Sequence, residues 1–287
     1  MSSAVIVSRS KKKRKMIIKN TIVYIFLVIG AIFMAIPFLW MLSTSLKTEG
    51  TVFSIPPQWI PDKLMWSNYS LAVSQGELVQ GLVNTLTIVI PTTIIGLFSC
   101  CLAAYGFAKM EFPGRDKLFM LLLSTMMIPG IVTMIPSFVI FKQLDWLDTF
   151  KPLMIPGMFG GAACIFFLRQ YFMTLPKELT EAAELDGLSY FGIFLRIALP
   201  LSKPAIATQA IFGFLGGYND YMGPLIYLNS PDKFTLQLKL ATFNGAYSSS
   251  WTLIMAGSVL ALIPTVALFF FAQKYFIEGI VMTGMKG

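Results

Sequence analysis

EAAELDGLSYFGIFLRIALPLSKP, from Glu181 to Pro204, is a polar stretch set between two strongly apolar ones, and its punctuation is that of two short helices joined by a tight turn. Upstream, Pro176 suits a first helical turn and PKELTEAAEL supplies strong helix formers. Gly187 stands where a helix ends on a left-handed residue, and Asp186 beside it is placed to accept backbone N–H groups in the turn. A second helix starts near Ser189 and is expected to stop at Pro200. Three- and four-residue spacing puts Glu178, Glu181, Ala182 and Leu185 on one face of the first helix, while Ala182 and Ala183 are small enough for another chain to approach closely. Phe194, Leu195, Ile197 and Leu199, with Pro200 and Pro204, are expected to dock the second helix on its neighbours.

The surroundings of this stretch are those of a membrane protein. Of 287 residues 56% are hydrophobic and only 13% charged, a balance foreign to a water-soluble chain of this length. Hydropathy places six spans near residues 17–42, 82–108, 118–141, 152–173, 205–228 and 252–276. The basic run from Arg9 to Lys15 ahead of the first span looks like the start of a cleaved signal, but the apolar segment that follows, Ile17 to Leu42, is long enough to cross the bilayer and ends without a small-residue cleavage pattern. Sixteen Lys and Arg residues fall on the side of the termini against six on the other, so both termini are expected in the cytoplasm, together with the 174–204 loop. Trp40, Trp59, Trp66, Trp146 and Trp251 all map to the opposite side as an interfacial belt, although Trp59 and Trp66 equally suit plain loop packing. The proline-bearing loop 47–80 on that side reads as an ordered cap with a short amphipathic stretch. The net charge of +8 therefore reports orientation and not nucleic-acid binding. Cys100, Cys101 and Cys164 lie in apolar segments of a chain without histidine, which argues for buried thiols and against a metal site.

The order Glu181-Ala-Ala, Asp186-Gly187, Phe194, Ile197, Pro200 and Pro204 resembles the coupling loop of ABC-importer permeases, in particular the smaller permease subunit of the maltose-type carbohydrate-uptake branch. The resemblance implies an all-α, six-helix type I importer fold in a bacterial or archaeal cytoplasmic membrane, with residues 1–287 as one domain and 82–276 as its core spans. It implies an ATPase-coupling set of Glu178, Glu181, Ala182, Ala183, Leu185, Asp186 and Gly187, Glu181 above all. Further implied partners are a second permease, two ATPase subunits, an external solute-binding protein, a sugar substrate and lipid. This chain would then bind no cofactor of its own, with ATP and Mg held in the ATPase subunits. A plain acidic connector between two spans is the competing reading of the same loop.

No phosphate loop, metalloprotease motif or histidine is present, so no catalytic residue is expected. In the fifth span, GFLGGYNDYMGPLIYL from Gly213 to Leu228 carries Tyr218, Asn219 and Asp220 into an apolar slab. The family places an aromatic-Asn pair before Pro-Leu here, usually with Trp where this chain has Tyr218. These three residues are candidates for the translocation path, with interhelical hydrogen bonding an equal alternative, and Asn84 and Gln209 are weaker ones for which packing or interhelical bonding is the favoured reading. The prolines at 129, 136, 152 and 156 predict kinks in the third and fourth spans that ease formation of a central cavity. Two other functions fit less well: a self-sufficient ion-coupled carrier working through Asp220, and a non-transporting anchoring protein.

Overall fold

A computed structural model describes residues 3–245 and 250–284, with side chains for 16–245 and 250–273. Lys274, Lys286 and the basic run Arg9 to Lys15, all used above for orientation, lie outside the described side chains. Among the described residues four segments are long and apolar enough to cross a membrane, Met16–Ser45, Leu78–Lys109, Lys151–Thr174 and Trp251–Gln273, and two bent helix pairs, each counted as one span, raise the number to six. The helices are α1 Ser3–Ser45, α2 Ser67–Gln75, α3 Leu78–Lys109, α4 Arg115–Ser124, α5 Gly130–Gln143, α6 Lys151–Met158 and α7 Ala162–Thr174. They continue with α8 Lys177–Leu185, α9 Tyr190–Ile193, α10 Leu199–Leu201, α11 Lys203–Tyr218, α12 Met222–Tyr227, α13 Leu236–Thr242 and α14 Trp251–Gly284.

Helix α3 is the organising element and packs on α6, α7, α11 and α13. Small residues set those distances. A Cβ on Gly96 would lie 2.4 Å from the carbonyl oxygen of Gly157, so the α3–α6 crossing has no room for a side chain. The fourth span is broken between Met158 and Ala162, where Gly160 takes φ +86°. Its freed backbone groups find partners on α3: Ser99 Oγ donates to Met158 O at 2.8 Å, and the Gly161 N–H donates to Cys100 Sγ at 3.4 Å. Helix α1 touches α14, and most of its described apolar side chains between Met16 and Leu42 are exposed.

Two spans differ from the hydropathy reading. The third turns through 97° between Met127 and Gly130 and is a broken helix: proline disfavours helical conformation in the residue before it, and Ile128, which precedes Pro129, is extended. The fifth spans less than 205–228. Helix α11 ends at Tyr218, Asn219 to Tyr221 interrupt it, and α12 starts afresh. Hydropathy averaged over a window passes over a three-residue break of this kind.

Candidate functional site

The hairpin is built as its punctuation dictates. Helix α8 ends in a Schellman turn: Gly187 has φ +79°, its N–H donates to Glu184 O at 3.0 Å, and the Leu188 N–H donates to Ala183 O at 3.0 Å. Ser189 then caps α9, its Oγ accepting from the Gly192 N–H at 3.2 Å. Asp186 is exposed, and only its backbone N–H bonds within the turn, to Ala182 O, so the side-chain role expected of it is not seen. The second helix does not stop at Pro200. It widens to a π turn over Phe194–Ala198, which absorbs the missing proline N–H and ring, and runs on to Leu201. An 80° bend at Ser202 then leads into α11.

One side of the hairpin is welded to the spans. Ala183, Ile193, Phe194 and Ala198 share a core with Tyr105 of α3 and Phe172 of α7, and the Tyr105 ring lies 5.2 Å from Phe194 and 5.9 Å from Phe172. Ala183 thus faces inward at 4% exposure and is not available to another chain, whereas Leu195 faces out. The other side is open. Glu178, Glu181, Ala182 and Leu185 are exposed, Leu185 at 90%, and Leu179, Tyr190 and Phe191 are bare as well. Lys109 Nζ fixes the loop's entry by donating to Leu175 O at 2.9 Å, and the Arg169 guanidinium sits 4.1 Å over the Phe119 ring.

The polar residues of the spans divide into fasteners and groove. Tyr218 is buried at 1%, stacks on Phe214 and donates its hydroxyl to Ala261 O at 2.8 Å, so it ties α11 to α14 and does not line a path. Asn84 is likewise a fastener, its amide donating to Asp232 O and Phe234 O at 2.8 and 3.0 Å. Asn219 faces outward and caps α11 through Leu215 O. Gln209 and Asp220 do line open space. A cavity of about 180 Å³ at the α6–α7 break is bordered by Thr92, Thr93, Gly160, Cys164 and Gln209. A second, of about 70 Å³, reuses Thr92, Thr93 and Gly213 and ends on Thr85, Thr235 and Asp220. The two form one groove along α3 and α11.

The opposite end from the hairpin is latched by contacts that the sequence did not reveal. Asp148, at φ +55°, accepts from the Asn229 and Ser230 N–H groups at 2.9 Å each, from Ser230 Oγ and from Lys233 Nζ at 2.8 Å. The Lys233 ammonium and these donors hold its carboxyl far below the usual carboxylate range. Glu49 caps the start of α14 through Trp251 and Thr252, and Glu77 pairs with the buried Lys239. Burial lowers the pKa of Lys47, whose ammonium rests 4.0 Å from the Trp40 ring centre. The tryptophans gather here too: Trp40 packs edge-on against Trp59, Trp66 on Tyr69, Trp146 on Phe141 and Trp251 on Phe53. Loop 47–80 is pinned to the end of α1 by Asn68 Nδ2 donating to Ser45 O and Lys47 O.

This pairing of a broken-helix groove with a protruding hairpin has relatives. A family model described as the binding-protein-dependent transport system inner membrane component matches residues 96–281. The chain belongs to that family. Among relatives of this inner membrane component, the arabinooligosaccharides transport system permease protein AraQ of Bacillus subtilis is 36% identical over 228 residues, 79% of this chain and 81% of the relative. The probable ABC transporter permease protein YurM of Bacillus subtilis is 32% identical over 284 residues, 97% and 93% of the two chains. Among solved structures, a chain of a bacterial ABC transporter involved in the import of the acidic polysaccharide alginate superposes with a TM-score of 0.79 at 25% identity, covering 90% of this chain and 96% of that one. The type I importer permease fold is thereby established for this inner membrane component.

Proposed function

We propose that this chain is one of two transmembrane subunits of an importer for a sugar or oligosaccharide, driven by ATPase subunits docked on the α8 hairpin and supplied by an external solute-binding protein. Membership of a binding-protein-dependent transport family supports the reading, as do relatives named for arabinooligosaccharide and alginate transport. The observation that carries it is the hairpin itself: an ordered Schellman turn, packed on one side into the core of α3 and α7, presents Glu178, Glu181, Ala182 and Leu185 on the other. A mere connector needs neither the turn nor a bare leucine at its tip. Both termini and the hairpin then lie in the cytoplasm, and the Asp148 latch and tryptophans outside. Closure of the ATPase pair would rock the spans as rigid bodies and alternate access to the groove. The ion-coupled reading of Asp220 is not favoured, since the family works with a binding protein.

Purification in mild detergent with its partners tests this. ATPase subunits should co-purify, and uptake into proteoliposomes should require ATP and the binding protein. A Leu185→Cys variant should react with an impermeant maleimide only from the cytoplasmic face. Solute pumping by the isolated chain, or labelling from outside, refutes the assignment.

A further inference from the structure

The groove ends on a constellation whose chemistry names a class of ligand. Asp220 occupies the interruption between α11 and α12 with its carboxylate on the groove, and its one hydrogen bond within the described structure is accepted from the Gly223 N–H at 3.1 Å. A Cβ on residue 223 would fall 2.5 Å from Asp220 Oδ2, so glycine there keeps the carboxylate in place. Beside it Thr235 is 4% exposed and borders the same cavity, and its buried Oγ1 has no hydrogen-bond partner among the described residues. Such an orphan hydroxyl is costly unless a water or a ligand completes it. Thr92 Oγ1 donates to Ile88 O and keeps its lone pairs free to accept.

Charge sharpens the picture. Among the described residues no Lys or Arg lines either part of the groove, and three lysines of this end of the fold are engaged elsewhere: Lys233 with Asp148, Lys239 with Glu77 and Lys47 with the Trp40 ring. A carboxylate with unfilled acceptor sites, an unpartnered hydroxyl and a threonine acceptor suit a polyhydroxylated neutral molecule, and the lone negative charge repels an acid. Volumes of about 70 and 180 Å³ are too small to engulf a ligand, so this groove is one wall, and a second permease subunit would close it.

We infer that Asp220, Thr235 and Thr92 form a hydroxyl-binding subsite on the translocation path that favours neutral oligosaccharides over uronate-containing ones. The inference rests on the proposed import function and narrows its substrate class.

Two measurements on the assembled complex test it. First, a Thr92→Cys reporter is labelled in proteoliposomes with a cationic methanethiosulfonate (the trimethylammonium-ethyl reagent) and an anionic one (the sulfonato-ethyl reagent), against the same protein without the reporter. The cation-to-anion rate ratio should fall roughly tenfold when Asp220→Asn is added, and an unchanged ratio overturns the subsite. Second, uptake of arabinotriose and trigalacturonate is measured, each with a binding protein shown to bind that probe. Wild type should prefer arabinotriose by about tenfold or more, and Asp220→Asn should narrow the gap while Asp220→Glu retains it. Equal uptake of both sugars by wild type and Asp220→Asn sinks this inference alone. Absence of any ATP-dependent uptake would count against the importer reading, and the labelling ratio would still decide the charge of the groove.

Discussion

Substituting Gly187 separates the geometry of the hairpin from its chemistry. An added Cβ meets nothing within 4 Å, so the effect of a side chain there is conformational, through the φ of +79°. An L residue in that region costs about 1–2 kcal/mol, a β-branched one more, and asparagine less. The turn is held by two backbone hydrogen bonds, from Gly187 to Glu184 and from Leu188 to Ala183, each worth about 0.5–1.5 kcal/mol. The penalty therefore equals the strength of the turn. Gly187→Ala should lower the ratio of formed to open turn roughly 5–30-fold, Gly187→Val should lower it further, and Gly187→Asn should stay close to wild type. Hydrogen exchange at the Leu188 amide reads the turn directly, and ATP-driven uptake by the reconstituted complex reads coupling. Both should follow the order Gly, Asn, Ala, Val, with binding-protein docking unaffected. Fast exchange in Gly187→Val alongside undiminished uptake would refute the idea that the ordered turn transmits force.

Other substitutions probe the fasteners. Asp148→Ala should destabilise the detergent-solubilised protein by about 1–3 kcal/mol, seen in thermal melts, the range allowing for the partial exposure of its ion pair with Lys233. Because the folded protein depresses the Asp148 carboxyl, its contribution is complete above the ordinary carboxylate range, about pH 4, and is lost as pH falls through the lower folded value; the variant's deficit should be constant from about pH 5 to 8 and shrink only in strong acid. Tyr218→Phe should cost about 1 kcal/mol for the bond to Ala261 and leave the KM for transport unchanged, whereas a large KM shift would put the ring in the path. Ala183→Leu should overpack the core by about 1–3 kcal/mol, while Ala182→Leu should melt normally and weaken ATPase association in pull-downs.

The sequence was most legible where structure is local. The Gly187 turn and the Ser189 cap involve residues within five positions of one another, and the turn chemistry of Gly and Ser specifies them without help from the rest of the fold. Span number was legible for a similar reason, since hydropathy integrates over a whole helix. The direction of a side chain was not. Helix α11 and the break after it carry few polar residues and no clear polar face, so nothing in the pattern said that Tyr218 points into the protein and Asp220 into the groove. Asn84 and Asp148 were equally opaque, because their partners lie 148 to 150 and 81 to 85 positions away and a polar residue carries no record of which distant carbonyl or ammonium it meets. Polar composition marked Tyr218, Asn84, Asn219 and Asp220 as a single class; burial and partner sorted them into fasteners and one groove-facing carboxylate.

That sorting bears on how force could travel. The hairpin's inward side shares one packed cluster with α3 and α7, and close-packed side chains transmit displacement without slack. From there α3 carries the motion along the whole groove, because Gly96 rides on Gly157 at backbone contact, Thr92 and Cys100 meet Gly157 and Gly160, and both also border the cavity. At the far end Asn84 of α3 holds the 232–234 backbone, and Asp148 holds 229–233, so the α12 side of the groove cannot lag behind. The joints lie between these fastened regions: the 80° bend at Ser202, the break at Asn219 to Tyr221 and the 97° turn before Gly130. A push on α8 would thus be spent on turning the groove wall about its breaks, with Asp220 seated at one of them, and not on bending the helices.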